Sequence, residues 1–350
     1  MENFTIIGSG FSALIANIFL EKYNPLTISS DNEYLLKSKL NVRNNLNVNK
    51  IFSTYTKSYG NFNYKLNNKT QIHDRLSIGG HSNIWGGFIN VDELKNTALS
   101  TLNKNFIIKK INKSKCGYQS NKEGMAQMRD SNNNNIINSK VLIKKIARGF
   151  LDSLIIEPDF IKLKIYFKNK NNFEIIKTKR LILAISFSQL IDLLYRSKIL
   201  VSNCSISLSE FDHRFNKTIF SEIKQNDYTE DVIIKYDLIR AIKHFTGFQK
   251  SLDYLNFNIP FCIEQIFYNR KKCLELNLDY NNKLISEVSN LKNFGNSIHY
   301  CNLKIDNISI NQIFNNLTNN ITGVSMPFTN QKKPGPISND IINNFLDNFN

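Results

Sequence analysis

The sequence has little that would cross-link it, anchor it or hold a metal. Five cysteines, Cys116, Cys204, Cys262, Cys273 and Cys301, are scattered along 350 residues, without a C-x-x-C pair or a His/Cys cluster at zinc spacing. Such usage fits a reduced, cytoplasmic protein without structural metal. No apolar run approaches the roughly 18 residues a membrane-crossing helix needs, and the chain opens on a strand-like run where a signal peptide would begin with a basic segment. No dense run of Lys or Arg interleaved with aromatics points to nucleic acid. Acidic residues are also few: 29 Asp and Glu against 45 Lys and Arg leave a formal charge of +16. Asn supplies roughly one residue in seven, and Ile and Lys are plentiful, the triad an AT-rich genome encodes. The basic balance is thus either a lysine-biased solvated surface or an attraction to anionic nucleotides, sugars or a membrane face, the last as a weak surface association.

What is present is concentrated at the front. Phe4 to Ile7 is a short apolar β run that ends in Gly8-Ser9-Gly10-Phe11-Ser12-Ala13. Leu14, Ile15, Ile18 and Phe19 then recur at helical spacing, Pro25 ends the helix, and Leu26 to Ser29 reads as the next strand, stopping at Asp31. In a dinucleotide-binding unit Gly8 would allow the tight turn, Gly10 would present no Cβ to a pyrophosphate, and Ala13 would let helix and sheet approach. The helix N-terminus offers N–H groups and the positive end of its dipole to phosphates. Asp31, about 20 residues beyond the glycines, stands where a carboxylate would accept hydrogen bonds from ribose hydroxyls. The alternative is a glycine turn that only joins strand to helix.

A second glycine-rich stretch, Gly79-Gly80-His81-Ser82-Asn83-Ile84-Trp85-Gly86-Gly87, surrounds the sole tryptophan. So many glycines suit neither a strand nor a helix interior. They suit backbone passing close to a flat or charged ligand, with Ser82 and Asn83 as short hydrogen-bonding groups, or a surface hairpin with Trp85 as an anchor. Between the two stretches, residues 32–75 are polar and turn-rich.

An N-terminal G-x-G-x-x-A followed by G-G-x-S-x-x-W-G-G resembles the flavin-dependent glucose-methanol-choline oxidoreductases, in particular short sugar- and polysaccharide-associated relatives. The resemblance implies an α/β fold with a Rossmann-like FAD-binding domain and a small inserted α+β substrate domain. It implies FAD at Gly8, Ser9, Gly10, Phe11, Ser12, Ala13, Asp31, Gly79, Gly80, Ser82, Asn83, Trp85, Gly86, Pro336 and Ile337. The FAD domain is expected over 1–200 and 293–350, with a cap over 201–292.

Further along, Asn132 to Asn135 reads as a loop, Val141 to Ile143 as a strand, and Lys162 to Phe167 and Phe173 to Lys179 as a hairpin. Arg180 to Ile185 reads as a separate, fully buried strand leading into a helix over Ser188 to Ser197. In the family that strand ends in Ala-x-Gly; here Ser186 replaces the glycine. Strand-like alternation is expected at Ile206 to Leu208 and Ile219 to Ile223, a helix at Lys235 to Phe245, and a surface turn at Asp212-His213-Arg214. The segment Gly295 to Tyr300 resembles the one that carries the family's catalytic histidine, which makes His299 the expected base; the H-x-x-G-T continuation is replaced at Asn302 and Leu303. Gly323 to Pro327 resembles Asp-x-Ser-x-x-Pro without its carboxylate, and Gly335 stands where a second His or Asn is usual. A final helix is expected over Asn339 to Phe349, its N-terminal amides toward the flavin.

The resemblance implies an FAD-dependent oxidoreductase acting on an alcohol group of a small molecule, a sugar or glycan precursor, with hydride passing to flavin N5. The eroded positions leave open a redox-inactive flavoprotein fold serving binding or assembly, and a flavin-dependent sugar mutase is the remaining enzyme alternative.

Overall fold

The computed structural model describes residues 1–30, 64–66, 70–72, 78–80, 87–111, 117–119, 123–132, 142–143, 145–167, 170–200, 204–216, 230–237, 260–279, 284–287, 297–329 and 337–349. In chain order the elements are β1 (Glu2–Ile7), α1 (Phe11–Phe19), β2 (Leu26–Ser29), the small hairpin β3 (Tyr64–Leu66) and β4 (Thr70–Ile72), β5 (Phe88–Asn90) and α2 (Asn96–Asn105). There follow β6 (Ile107–Lys110), β7 (Gly117–Gln119), β8 (Met125–Arg129), β9 (Ile146–Arg148), β10 (Phe150–Ile156), β11 (Ile161–Phe167), β12 (Asn172–Leu183) and α3 (Phe187–Arg196). The remainder comprises β13 (Cys204–Asn216), β14 (Glu230–Asp237), β15 (Pro260–Asp279), β16 (Leu284–Glu287), β17 (Ser297–Ile305), β18 (Ile308–Ser309), α4 (Ile310–Leu317), β19 (Ile321–Gly323) and α5 (Ile337–Phe349).

The fold is mixed α/β around a parallel sheet. β1 lies between β2 and β12, parallel to both; β9 extends the sheet beyond β2, and β19 pairs with the end of β12, again in parallel. β12 does two jobs along its length. Its first half pairs antiparallel with β11, which pairs with β10, to make a three-stranded meander; its second half enters the parallel sheet beside β1. The changeover falls at Thr178, which is opposite both Ile161 and Glu2. Its fully buried hydroxyl donates to Arg180 O at 2.9 Å.

One face of the sheet carries α1, α2 and α5, with Ile6 and Ile182 packed among Ala13, Leu14, Leu102, Ile342 and Phe345; Ile89, Ala126 and Met128 of the small β5-β8-β6 sheet close this core. On the other face Ile28, Leu181 and Leu183 meet Leu163 and Ile165 of the meander, Leu190 and Leu194 of α3, and Phe314 of α4. Apolar residues on both faces of β1, β2 and β12 account for the nearly unbroken hydrophobic runs of these strands.

Several local expectations change. The strand expected at Val141 to Ile143 lies at Ile146–Arg148, while Leu142 and Ile143 pack into the helical core. The two strands expected over Phe173 to Ile185 are one, because no Gly or Pro interrupts them and only the pairing partner changes. Asp212-His213-Arg214 is not a turn; it lies inside β13, paired with β15 on one side, and on the other Asp212 and His213 pair with β17. Lys235 to Asp237 end a strand where a helix was expected, since the β-branched run Val232-Ile233-Ile234 extends through them against β15. Residues 238–245 and the strand expected at Ile219 to Ile223 lie outside the described residues. The second sheet runs in the order β18-β17-β13-β15-β14-β7, with β16 on β15. It therefore draws on Gly117–Gln119 and Ser297–Ser309 as well as on residues 204–287. No helix among the described residues is long and apolar enough to cross a membrane.

Candidate functional site

The site begins where β1 stops. Gly8 leaves the strand with φ +117°, its N–H donating to Ile28 O at 2.8 Å. A Cβ built there would lie 2.9 Å from the carbonyl carbon of Ala184 and closer still to its oxygen. The end of β12 thus presses on residue 8, and that packing alone demands glycine. Gly10 differs. With φ −75° and ψ −168° it has extended backbone that any residue adopts, and its carbonyl accepts the first helical bond of α1, from Leu14 N. Among the described residues a Cβ at Gly10 would meet nothing nearer than Gly79 O at 3.7 Å, ordinary van der Waals contact. Among the described residues nothing requires glycine at position 10.

Gly10, which precedes α1, has no side chain with which to cap it, no acidic residue lies in the first turn, and Phe11, Ser12 and Ala13 form that turn. Ala13 is fully buried in the core between helix and sheet, as its small size predicts.

The second glycine segment comes to the same place from 70 residues away. Gly79 is buried with φ +93°, Gly80 has φ +48°, and a Cβ on Gly80 would lie 3.6 Å from Gly10 Cα. The Gly79 N–H donates to Ser9 Oγ at 3.0 Å, and Ser9 Oγ is 2.7 Å from Ser29 Oγ at the end of β2. Gly79 and Gly80 therefore lie against the turn that follows β1. Ser82, Asn83, Trp85 and Gly86 lie outside the described residues, as does Asp31.

Beyond that segment, β5 is fixed to the start of the last helix. Ser338 Oγ donates to Phe88 O at 2.5 Å. Asn339 pairs with the Asn90 backbone in both directions, its Nδ2 donating to Asn90 O at 2.6 Å and its Oδ1 accepting from Asn90 N at 3.0 Å. The N-terminus of α5 is thereby held next to the strand that leaves the second glycine stretch. The helix opens at Ile337, two residues earlier than the pattern suggested; Pro336 and Gly335 lie outside the described residues.

The positions that depart from the family pattern have physical reasons of their own. Ser186 opens α3 in extended conformation, where no glycine is required, and its Oγ is buried without a hydrogen-bond partner. Gly323 carries no carboxylate because the ring of Phe328 fills the space its side chain would take; Phe328 is itself buried beside Phe314. Ser325 Oγ donates to Ile185 O, joining the segment after β19 to the end of β12. His299 lies within β17, opposite Phe211 of β13. Three residues later Asn302 N–H donates to Thr329 O at 3.0 Å, which ties the strand bearing His299 to the segment after β19. Cys204 at the start of β13 is buried; burial, then the charge of Asp306, raises its thiol pKa and keeps it protonated.

Sequence reasoning did not find Ser29 or Asn339. No periodicity marks either, since each acquires its partner only when distant strands become neighbours.

The turn, the two parallel strands and the helix between them make a βαβ unit. No family model matches the chain, and no curated protein does. Among solved structures it is similar to a flavoprotein/dehydrogenase from Cytophaga hutchinsonii (9% identity, 60% of this chain and 46% of that one, TM-score 0.28). It is also similar to the OxyS anhydrotetracycline hydroxylase of Streptomyces rimosus (8% identity, 79% and 52%, TM-score 0.30). A third is the p-nitrophenol 4-monooxygenase PnpA of Pseudomonas putida DLL-E4 (9% identity, 60% and 47%, TM-score 0.28). The chain spans about half the length of these structures. With overlaps so slight, it is the geometry of the two glycine segments that bears on function.

Proposed function

We propose that the chain binds FAD across its two glycine segments and works as a flavin-dependent oxidoreductase on a small molecule. The observation that carries this reading is the contrast between Gly8 and Gly10: the first glycine is required by the packing of β12, whereas among the described residues nothing requires the second, which stands at the start of α1. The residues present fit a dinucleotide. The N–H groups at the start of α1, over Gly10 to Ala13, would receive the pyrophosphate, Asp31 the ribose, and the backbone from Gly79 through Gly86 with Ser82, Asn83 and Trp85 the length of the cofactor. The start of α5, at Pro336 and Ile337, would lie toward the far end. When bound, FAD supplies a two-electron acceptor.

The narrower reading is an enzyme of the glucose-methanol-choline type that oxidises an alcohol group of a sugar or glycan precursor. In it residues 1–200 and 293–350 form the FAD domain, residues 201–292 cap it, and the imidazole of His299 takes the hydroxyl proton, a task suited to its near-neutral pKa. A cytoplasmic setting belongs to the same reading. A redox-inactive binding subunit built on this fold is favoured by one observation, the Phe328 ring lying against Gly323 where the resemblance calls for a carboxylate.

Protein expressed with ample riboflavin should carry a flavin absorption spectrum, and free FAD at about 100 times its Kd should stabilise the apoprotein by about 2.7 kcal/mol. A colourless protein that gains no stability from FAD would end the flavin reading. Given bound FAD, His299→Ala should keep the spectrum but bleach about 10²–10⁴-fold more slowly with a sugar alcohol under anaerobic stopped flow. Equal rates would remove His299 from the reaction and leave the broader proposal intact.

A further inference from the structure

We propose that the outer face of the β10-β11-β12 meander is a docking surface for an anionic lipid bilayer, a role that goes beyond the flavin reading and does not depend on it. The strand register lays this face out in three rows: Ile155, Lys162 and Lys177; Ser153, Lys164 and Ile175; and Phe150, Tyr166 and Phe173. The alternate residues Leu154, Leu163, Ile165 and Phe167 are buried in the core. Ile155, Phe173 and Ile175, by contrast, are 58%, 52% and 64% exposed. Large apolar side chains gathered on the outer side of one regular sheet mark a binding surface.

The lysines among them decide the partner. Lys164 stands in the middle row on the middle strand, its Nζ 4.4 Å from the centre of the Phe173 ring and 3.3 Å from Asp152 Oδ2. Lys162 Nζ reaches Glu157 Oε1 at 2.7 Å, and Lys162 and Lys177 lie over the Phe160 ring at 5.7 and 5.2 Å. Over residues 150–180 seven Lys and Arg stand against four Asp and Glu, so positive charge remains in excess after every pairing. A protein interface has an apolar centre from which lysine is depleted and keeps its charges at the rim, the reverse of this arrangement. A second copy docked about a two-fold axis would set the same lysine-bearing patch against itself. Addition of a strand at the β10 edge is obstructed, because Leu154 N–H donates to Ser197 Oγ at 3.0 Å and Asp152 O accepts from Arg196 Nε at 2.6 Å. A bilayer interface accepts both kinds of side chain next to one another. Its phosphates and carboxylates receive the lysines, and the isoleucines and aromatic rings enter the boundary between headgroups and acyl chains.

The test is sedimentation of the full chain with vesicles of phosphatidylcholine alone and of phosphatidylcholine mixed with phosphatidylserine. Wild type should partition onto the mixed vesicles about tenfold more strongly than onto the neutral ones, and salt at about 1 M should release it. Lys164→Gln and Lys177→Gln should each weaken partitioning about fivefold, the effect of one lysine at an anionic surface. Ile155→Ser combined with Ile175→Ser should weaken it about tenfold, with the thermal midpoint unchanged because both side chains lie outside the core. Lys109→Gln, which removes the same charge from exposed β6, should weaken it less than about twofold. Equal partitioning onto neutral and mixed vesicles, or full partitioning of the lysine and isoleucine variants, would overturn the assignment. An equal loss in Lys109→Gln would overturn it too, by showing that overall charge and not this face holds the protein. A wild type that stays in the supernatant refutes the bilayer outright, and if the isoleucine variant then dissociates a dimer in sedimentation velocity, the face belongs to a second copy.

Discussion

The two glycines of the first turn should fail in opposite ways when each is given a methyl group. In Gly8→Ala the new Cβ stands 2.9 Å from the Ala184 carbonyl carbon, with the oxygen nearer, and the backbone is held at φ +117°. The conformation alone costs an alanine on the order of 1–3 kcal/mol. The clash is with backbone at the end of β12, which is fixed by Ala184 N donating to Ile7 O at 2.9 Å, so relief requires moving a central strand and adds about 1–3 kcal/mol. A total of about 2–6 kcal/mol would remove a large part of the ordinary stability of a domain, about 5–15 kcal/mol. In Gly10→Ala the methyl has 3.7 Å to its nearest described neighbour and an unstrained backbone, so the cost to folding should stay below about 0.5 kcal/mol. Urea denaturation of the apoproteins measures both. If pyrophosphate occupies the space over Gly10, that same mild variant should bind FAD about 10–100-fold more weakly, which calorimetry reads. A Gly8→Ala protein as stable as wild type, or a Gly10→Ala protein with full FAD affinity, would refute the division of roles between the two residues.

Three further outcomes follow from the packing. Gly323→Ala should cost about 3 kcal/mol in urea midpoint analysis because its Cβ overlaps the Phe328 ring, and a Phe328→Leu partner should recover part of the loss; an unchanged midpoint in the single variant would show that the ring can move aside. Asn339→Ala should cost about 2–4 kcal/mol by leaving Asn90 N–H and C=O without their side-chain partners, and Asn339→Asp should not rescue it, since a carboxylate accepts from the amide but repels the carbonyl. Cys204 ionises less readily folded than unfolded. The stability it contributes is therefore complete below the ordinary thiol value of 9.0 and falls as pH rises above it, so the stability difference between wild type and Cys204→Ala should shrink from pH 8.5 to about pH 10.5; a constant difference would mean the thiol is not desolvated.

The front unit was legible in one dimension because every signal it uses is local. A strand of apolar residues, a turn that only glycine can make, a helix with one apolar face and a second strand are each set by side chains within a few residues of one another, and Glu2 to Ser29 folds as its pattern says. The second glycine stretch reads in sequence as backbone in need of room, since four glycines in nine residues suit no regular element. What the tertiary structure decided is which of these freedoms the protein itself uses. Gly8 and Gly10 look alike in sequence, and only the arrival of Ala184 beside one, and of nothing closer than Gly79 O among the described residues beside the other, separates them. Likewise no local feature marks Ser9, Ser29 and Gly79 as one hydrogen-bonded set, or Asn339 as the partner of Asn90, or Phe328 as the reason residue 323 has no side chain. These depend on contacts between residues up to 249 apart, which exist only once β1, β2, β12 and α5 have found their places and the chain has closed on itself.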